Sequence, residues 1–249
     1  MSDPKQRFSN RVADYIKYRP KYPKEVIDIL KQDINLRPGD MVADIGAGTG
    51  FLTELFLDNG NLTYAVEPNE AMRNACTDIY GTDARLKIVD GSAEMTQLGD
   101  RTIDLIVAGT AFHWFDAVKT KQEFTRILKP GGHILLIWNV RKDDSPFTAG
   151  YEAIFHRRIP GYEASQHRKF DMDLIRNFLH PHQMKKQVLA NSQSFDWEGF
   201  KGRALSSSFM PQQSLLHDEV LSELYDLFLR FEENGKVLFQ YDTVMYYTV

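Results

Sequence analysis

Three glycines at alternate positions follow a short apolar segment and can bring a ligand close to the main chain. Residues 41–45 read Met-Val-Ala-Asp-Ile, and then come Gly46, Gly48 and Gly50. From Phe51 onward, apolar residues recur at the spacing of one helix face. This order predicts a buried strand, a glycine turn and a helix. Because glycine accepts a positive φ and has no Cβ atom, a ligand can lie beside the amides of the helix N-terminus.

A carboxylate follows the next apolar segment. Leu62 to Val66 predicts a second strand, and Glu67 stands roughly twenty residues beyond the glycine turn, where an acid can bind both ribose hydroxyls of an adenosine cofactor. The alternative is that Glu67 only caps the helix beginning near Asn69. A nicotinamide dinucleotide would use the same acid, but its fingerprint needs a small residue where Phe51 stands. The spacing therefore weakens the nicotinamide interpretation.

The segment from Asp44 to Gly50, acid-x-Gly-x-Gly-x-Gly, resembles the first motif of class I methyltransferases that use S-adenosylmethionine. Glu-Pro-Asn-x-x-Met at residues 67–72 resembles a second motif, and Leu-Lys-Pro-Gly-Gly at residues 128–132, which also predicts the end of a helix, resembles another. The resemblance implies S-adenosylmethionine as cofactor and S-adenosylhomocysteine as product. It implies cofactor contacts from the residues at matching positions, namely Asp44, Gly46, Ala47, Gly48, Glu67, Pro68, Ser92 and Ala93.

The resemblance implies an acidic or polar side chain at the position of Ser92 to bind the adenine edge, and in this sequence the acid is absent. A serine offers a single hydroxyl, so the backbone amide of Ala93 is the simpler expected contact.

A strongly apolar fourth strand, residues 102–108, leads into a run of small and aromatic residues at the edge where open parallel sheets bind ligands. Its Phe-His-Trp-Phe-Asp sequence resembles the type 11, trans-aconitate methyltransferase-like subgroup. We expect cofactor contacts from Thr110 and Phe112, and substrate contacts from His113 and Trp114. His113 is also the candidate general base, and its alternative role is to cap or pack the next helix.

The Tyr-Arg-Pro-x-Tyr-Pro run that begins at Tyr18 resembles an N-terminal arm of the same subgroup, which folds over the cofactor. Arg19 is expected to pair with the cofactor carboxylate, because a guanidinium forms a charge-assisted fork with that group. Tyr18 is a substrate candidate, and its alternative role is packing on the core.

The motifs occur in the order of one α/β fold. The resemblance predicts a Rossmann-like, mostly parallel seven-stranded sheet with an antiparallel last strand between the fifth and sixth, helices on both faces and a helical insertion as a lid. We divide the chain into an N-terminal helical arm (1–40), a cofactor-binding core (41–140), a helical insertion or lid (141–183) and the C-terminal part of the same domain (184–249). Four basic residues of the insertion offer contacts to an acidic substrate, with a solvated face as the alternative: Arg157, Arg158, His167 and Arg168.

The composition of the chain limits which classes of partner, location and metal site are expected. The 249 residues are 43% hydrophobic, enough for a full α/β core, and the net charge of -4 gives no electrostatic reason to expect nucleic acid or an anionic membrane. The single Cys76 forms no intramolecular disulfide, and no charged start precedes an apolar segment, so we expect a cytoplasmic protein. No metal is expected, because H-E-x-x-H and cysteine-histidine ligand patterns are missing.

The predicted function is methyl transfer to a small-molecule acceptor by in-line displacement, in a monomer or a homodimer. Alignment and exclusion of water would supply most of the catalysis, since a sulfonium is already a good leaving group. Two alternatives stay open: a non-catalytic nucleotide-binding or partner-binding protein, and a nicotinamide-dependent oxidoreductase.

Overall fold

A twisted sheet with the strand order β3-β2-β1-β4-β5-β7-β6 organises the described chain. The computed structural model describes residues 16–162, 171–207, 209–211 and 214–249. The strands are β1 (Met41–Ile45), β2 (Leu62–Val66), β3 (Leu86–Val89), β4 (Ile103–Gly109), β5 (Leu128–Arg141), β6 (Met184–Phe195) and β7 (Val237–Thr248). Strands β1 to β5 pair in parallel, and β7 is antiparallel to β5 and β6. The predicted fold class is confirmed, including the place of the antiparallel last strand.

Helices connect the strands. They are α1 (Glu25–Ile34), α2 (Phe51–Asn59), α3 (Glu70–Tyr80), α4 (Ala117–Ile127), α5 (Pro146–Arg158), α6 (Met172–Leu179), α7 (Trp197–Leu205) and α8 (Leu215–Phe231), with a 3-10 turn at Phe112–Trp114. Within the described ranges, no helix combines the length and the apolar character needed to cross a bilayer. Residues 1–15 of the predicted arm lie outside the described residues.

Alternate strand residues point to opposite faces, and helices cover both. On one face, Ile106 of β4 joins a core that includes Phe124 of α4. On the other face, Leu105 of β4 joins Val26 of α1 and Leu52 of α2. The period of two in β4 thus produces two apolar layers, and both hold the carboxyl ends of the strands in place.

Strand β5 begins earlier than the sequence predicts. The pattern indicates a strand from His133, after the turn at residues 129–132, whereas pairing with β4 already starts at Leu128. The register shifts between Ile103 and Leu105, because the extra residues of the turn are accommodated as an irregularity in the ladder.

Strands β6 and β7 extend past the carboxyl end of β5. The β5–β7 pairing ends at Arg141 and Tyr241, whereas the β6–β7 pairing continues to Phe195 and Val237. This extension carries a second apolar core, largely aromatic, built with α5, α7 and α8. Phe239 lies at its centre, with ring centroids 5.1 Å from Phe147 and 5.2 Å from Tyr151.

The predicted insertion 141–183 divides between the two cores. Helix α5 joins the aromatic core, whereas Phe178 of α6 packs against Phe124 of α4. Arg157 and Arg158 pair with carboxylates of α8 and so add contacts between helices, while the Arg157 side chain is still 60% exposed to solvent. His167 and Arg168 lie outside the described residues, and a lid role for the insertion stays a prediction.

We expect Phe239→Ala to destabilise the protein by about 3–5 kcal/mol, because it leaves a cavity in the aromatic core where this ring is 0% exposed. The matched control is Leu238→Ala, whose side chain is 49% exposed and points away from that core, with an expected change within about 0.5 kcal/mol. Urea unfolding measures both. Equal losses of stability in the two variants would show that the aromatic core adds nothing to the folding free energy.

Candidate active site

The glycine turn joins β1 to α2 in a conformation that side-chain-bearing residues rarely adopt. Gly46, Gly48 and Gly50 have φ values of +70°, +58° and +91°. The amides of Gly46 and Ala47 donate to the carbonyl oxygen of Val66 at 2.8 and 3.2 Å. These bonds tie the start of the turn to the carboxyl end of β2.

The three glycines differ in what surrounds them. A Cβ atom at Gly46 would lie 2.8 Å from the Cβ of Ala111, and one at Gly50 would lie 2.9 Å from Sγ of Cys76. A Cβ atom at Gly48 would meet nothing within 4 Å. The outer two glycines are therefore required by packing, whereas Gly48 presents its main chain to open space that a ligand can enter.

Glu67 connects the ends of the first two strands. Its Oε2 accepts from the Gly48 amide and its Oε1 from the Asn69 amide, both at 2.9 Å. Asn69 is itself the N-cap of α3, because its side chain accepts from the Met72 amide. Capping of this helix is therefore not the role of Glu67 alone. Burial raises the pKa of Glu67, while its two backbone hydrogen bonds and Arg73 act in the opposite direction. Pro68, predicted to touch the cofactor, follows it and is half-buried.

Asp44 lies beneath the glycine turn and is 1% exposed. Its Oδ2 accepts from Oγ1 of Thr53 at 2.7 Å, and its Oδ1 is buried with no hydrogen-bond partner among the described residues. Burial raises the pKa of Asp44 to about 7, and the nearby carboxylate of Glu67 adds to the rise. A buried oxygen without a donor suits a ligand that brings a cationic or N–H group.

The predicted adenine turn follows β3. Ser92 and Met95 exchange two backbone hydrogen bonds, of 3.0 and 3.1 Å, which close the turn. The Ala93 amide has no acceptor within the described part of the chain, although the residue is 4% exposed. The backbone contact expected from Ala93 thus has a donor in place.

The segment after β4 holds two residues for which the sequence predicts cofactor contacts, and they differ in their exposure to solvent. Thr110 is exposed and has a φ of +54°. Phe112 is buried, with its ring edge-on to Trp138 and Phe178. The Phe112 ring belongs to the sheet core, and its expected contact with the cofactor stays a prediction.

His113 and Trp114 lie on the 3-10 turn. His113 is exposed and Trp114 half-buried, with ring centroids 4.9 Å apart. Their substrate roles stay predictions.

Residues 18–22, here called the strap, cross the carboxyl edge of the sheet. Asn139 at the end of β5 donates to the carbonyl oxygens of Pro20 and Lys21 at 3.1 and 3.3 Å. Lys21 Nζ pairs with Glu54 of α2 at 2.8 Å. The main chain of the strap is thereby fixed beside the glycine turn.

The predicted residues of the strap contact α7. Arg19 Nη2 donates to the carbonyl oxygen of Ser206 at 3.2 Å. The Tyr18 ring covers Gly202, where an added Cβ atom would approach it to 2.0 Å. Both contacts place these side chains toward the aromatic core, and their roles toward cofactor and substrate stay predictions.

Two residues to which the sequence assigns no role help to form the site. Tyr22 places its hydroxyl 3.0 Å from Oγ1 of Thr110, and Asn139 holds the strap. In the sequence, these two residues could have been found as a second tyrosine in the arm motif and as a polar residue at the carboxyl end of an apolar strand.

Cys76 is buried, and burial raises the pKa of its thiol to about 12, so it is no nucleophile at neutral pH. In the described ranges, no cluster of three or more His, Cys, Asp or Glu has metal-site geometry.

We expect the stability of the wild type to fall relative to Asp44→Asn as the pH rises. The pKa of Asp44 lies near 7 in the folded protein against an ordinary 3.8, so the folded state binds more protons between these values. The contribution of protonated Asp44 is complete below about pH 4 and is lost by about pH 7, a change on the order of a few kcal/mol. Urea unfolding at pH 5 and pH 8 measures it, with Asp143→Asn on an exposed loop as control. A pH-independent difference between wild type and Asp44→Asn would contradict the assignment.

Comparisons with known proteins agree with this geometry. The methyltransferase domain family matches residues 43–136. An uncharacterized methyltransferase of Schizosaccharomyces pombe is 31% identical over 142 residues, which cover 56% of this chain and 55% of that protein. The chain spans about half the length of the curated relatives that it matches.

Solved structures share the fold. A putative type II methyltransferase from Anaeromyxobacter dehalogenans superposes with a TM-score of 0.71 at 19% identity, covering 93% of this chain and 97% of that chain. Phosphoethanolamine N-methyltransferase 2 of Haemonchus contortus, in complex with S-adenosyl-L-methionine, gives a TM-score of 0.57 at 15% identity, covering 97% of this chain and 57% of that chain. Residues 43–136 thus match the methyltransferase domain family, and the described chain shares the fold of these solved methyltransferases.

Proposed function

We propose that this protein transfers a methyl group from S-adenosylmethionine to a small-molecule acceptor. The observation that carries the proposal is the meeting of three features at the ends of β1 and β2. Gly48 opens its main chain to a ligand, Glu67 lies within hydrogen-bonding distance of it, and Asp44 has a buried oxygen without a donor. A ligand with ribose hydroxyls and a cationic amino-acid end satisfies all three.

The residues present fit this cofactor. Glu67 would accept the ribose hydroxyls, and the turn around Gly48 would hold the amino-acid end above Asp44. The amide of Ala93 and the hydroxyl of Ser92 would meet the adenine edge. When bound, S-adenosylmethionine supplies a methyl group activated by its sulfonium charge.

The chain's own contribution is binding, orientation and exclusion of water. The strap and the 3-10 turn border the carboxyl edge, so they can shield a reacting pair from solvent. His113 stands at that edge and can accept a proton from a hydroxyl or carbon acid. For a carboxylate or a free amine no base is required.

The acceptor class rests on charge. With a net charge of -4, a polyanionic partner has no electrostatic support, and a small molecule is favoured. A monomeric or homodimeric state and a cytoplasmic location remain predictions.

Calorimetric titration with S-adenosylmethionine and S-adenosylhomocysteine tests the cofactor assignment. We expect saturable binding of both, and a loss of about 10- to 100-fold in affinity in Glu67→Ala, because hydrogen bonds to a charged acceptor are lost. Glu70→Ala, an exposed acid on the adjacent helix, is the matched control and should bind like the wild type. Glu67→Gln retains one acceptor oxygen for the backbone amides of the turn. This variant therefore controls for a loss of affinity in Glu67→Ala that comes from a changed turn conformation.

Three outcomes separate the candidates. Binding of NADH without binding of either sulfur nucleotide would refute the proposal in favour of an oxidoreductase. Cofactor binding without methyl transfer to hydroxyl, amine, thiol, carboxylate and carbon-acid acceptors would support a binding protein. Transfer to any of them, measured as S-adenosylhomocysteine release, supports the proposal.

The role of His113 depends on the acceptor atom. For a hydroxyl or carbon-acid acceptor, His113→Gln should lower kcat about 100-fold or more and remove the acidic limb of the pH profile, with cofactor affinity unchanged. For a carboxylate or amine acceptor, kcat should change by less than about threefold. A large loss of cofactor affinity in this variant would instead assign His113 to cofactor binding.

A further inference from the structure

Strand β6 forms one edge of the sheet and is long for that position. Its only neighbour among the described strands is β7, and it runs for 12 residues. Proteins usually keep an edge strand short, or interrupt it with proline or a bulge, because a row of unpaired backbone groups is a template for another strand. β6 contains no proline, and it pairs with β7 without a register shift from Met184 to Phe195. The edge is therefore continuous.

Every second residue of β6 turns its backbone N–H and C=O groups away from β7. The Val249 amide donates to the carbonyl oxygen of Gln183 at 2.9 Å, which continues the β6–β7 pairing and assigns the inward-facing groups to odd-numbered residues. The Ser192 amide agrees, because it donates at 2.8 Å to Oδ1 of Asn191 in its own strand. The residues with outward-facing groups are therefore Met184, Lys186, Val188, Ala190, Ser192 and Ser194. Within the described ranges, no other backbone segment hydrogen-bonds to them.

The side chains of this edge leave room for a second strand. Its only charged residues are Lys185 and Lys186, both near the beginning of β6. Lys185 Nζ pairs with Asp33 at 3.1 Å, and Lys186 Nζ lies 5.7 Å from the centre of the Tyr246 ring. The middle of the strand is uncharged, and Val188 there is 48% exposed. An exposed, uncharged stretch of edge is one that another strand can cover.

We propose that two copies of this chain associate through β6, antiparallel about a two-fold axis at Leu189, so that the two sheets become one. In this register each outward-facing residue meets an outward-facing residue of the second copy, and their N–H and C=O groups pair. The opposed residues are Met184 and Ser194, Lys186 and Ser192, and Val188 and Ala190. Moving the axis to either neighbouring residue leaves outward-facing groups at a strand end unpaired.

The same register keeps the lysines apart. Lys186 lies opposite Ser192 of the second copy and Lys185 opposite Gln193, so no like charges are directly opposed. An acidic strand of another protein would gain only at the beginning of β6, where Lys185 already pairs with Asp33. The partner that this edge fits is therefore a second copy of the chain.

Sedimentation velocity of the full chain over a range of concentrations tests the proposal. We expect the 28.7 kDa chain to reach the mass of a dimer as the concentration rises. Val188→Lys should raise the dimer dissociation constant about tenfold or more, since it places lysines of both copies beside one another at the axis. The matched control Val118→Lys changes a 70% exposed valine on α4 and should leave this constant unchanged. At a concentration where the wild type is monomeric, Val188→Lys should keep the wild-type Tm.

Single cysteines test the register. Leu189→Cys places one thiol of each copy opposite the other at the axis, and we expect a disulfide-linked dimer under oxidising conditions. Gln187→Cys lies on the same face two residues from the axis, so its two thiols are about 13 Å apart along the strands and should not react. The native Cys76 is buried and adds no background. Electrophoresis without reducing agent measures both variants.

A chain that stays monomeric at every concentration would overturn the proposal. A dimer that Val118→Lys disrupts and Val188→Lys does not would overturn it too, because the contact would then lie at α4. Cross-linking of Gln187→Cys in place of Leu189→Cys would contradict the two-fold register.

Discussion

The hydrogen bond from the Gly48 amide to the Glu67 carboxylate connects the ends of β1 and β2, and the candidate site depends on it. Two backbone amides donate to this half-buried carboxylate, one from the glycine turn and one from Asn69, and they offset the cost of its burial. The bond therefore fixes the turn and the acid together. Asp44 adds a second carboxylate within the same small volume, and the charge of the two is what a cationic cofactor can offset.

The rest of the fold presents this edge to a ligand. Two apolar layers hold the parallel strands so that their carboxyl ends meet at one edge. The aromatic core, carried by the extended β6–β7 pairing, stands beside it, and the strap runs between the two. The strap needs polar anchors, because its own carbonyl groups would otherwise be left without donors at a partly buried edge. Asn139 supplies such an anchor at the end of β5.

Local pattern was enough to predict the central strands. The bounds of β1 and β2 agree with those expected, because short apolar runs bounded by glycine or by acidic residues are strong strand signals. The glycine turn and Glu67 were also readable, since each lies within a few residues of its strand. That Gly48 alone of the three glycines faces open space required the structure, because it depends on where Ala111 and Cys76 pack.

Contacts between residues far apart in the chain could not be predicted from the sequence. The burial of Phe112 depends on Trp138 and on Phe178 of a distant helix, and the pairing of Arg158 depends on α8. The contact between Tyr22 and Thr110 joins residues 88 positions apart, so no local spacing reveals it. Arg19 and Tyr18 were singled out, but their contacts with α7 depend on how the aromatic core is placed.

A crystal structure of the complex with S-adenosylhomocysteine tests the central claim most directly. The account predicts the ribose hydroxyls on the Glu67 carboxylate and the amino-acid end along the main chain from Gly46 to Gly48. A nucleotide bound elsewhere, such as in the open groove between α4 and α6 lined by Val118 and Leu174, with Glu67 still bonded only to backbone amides, would contradict it.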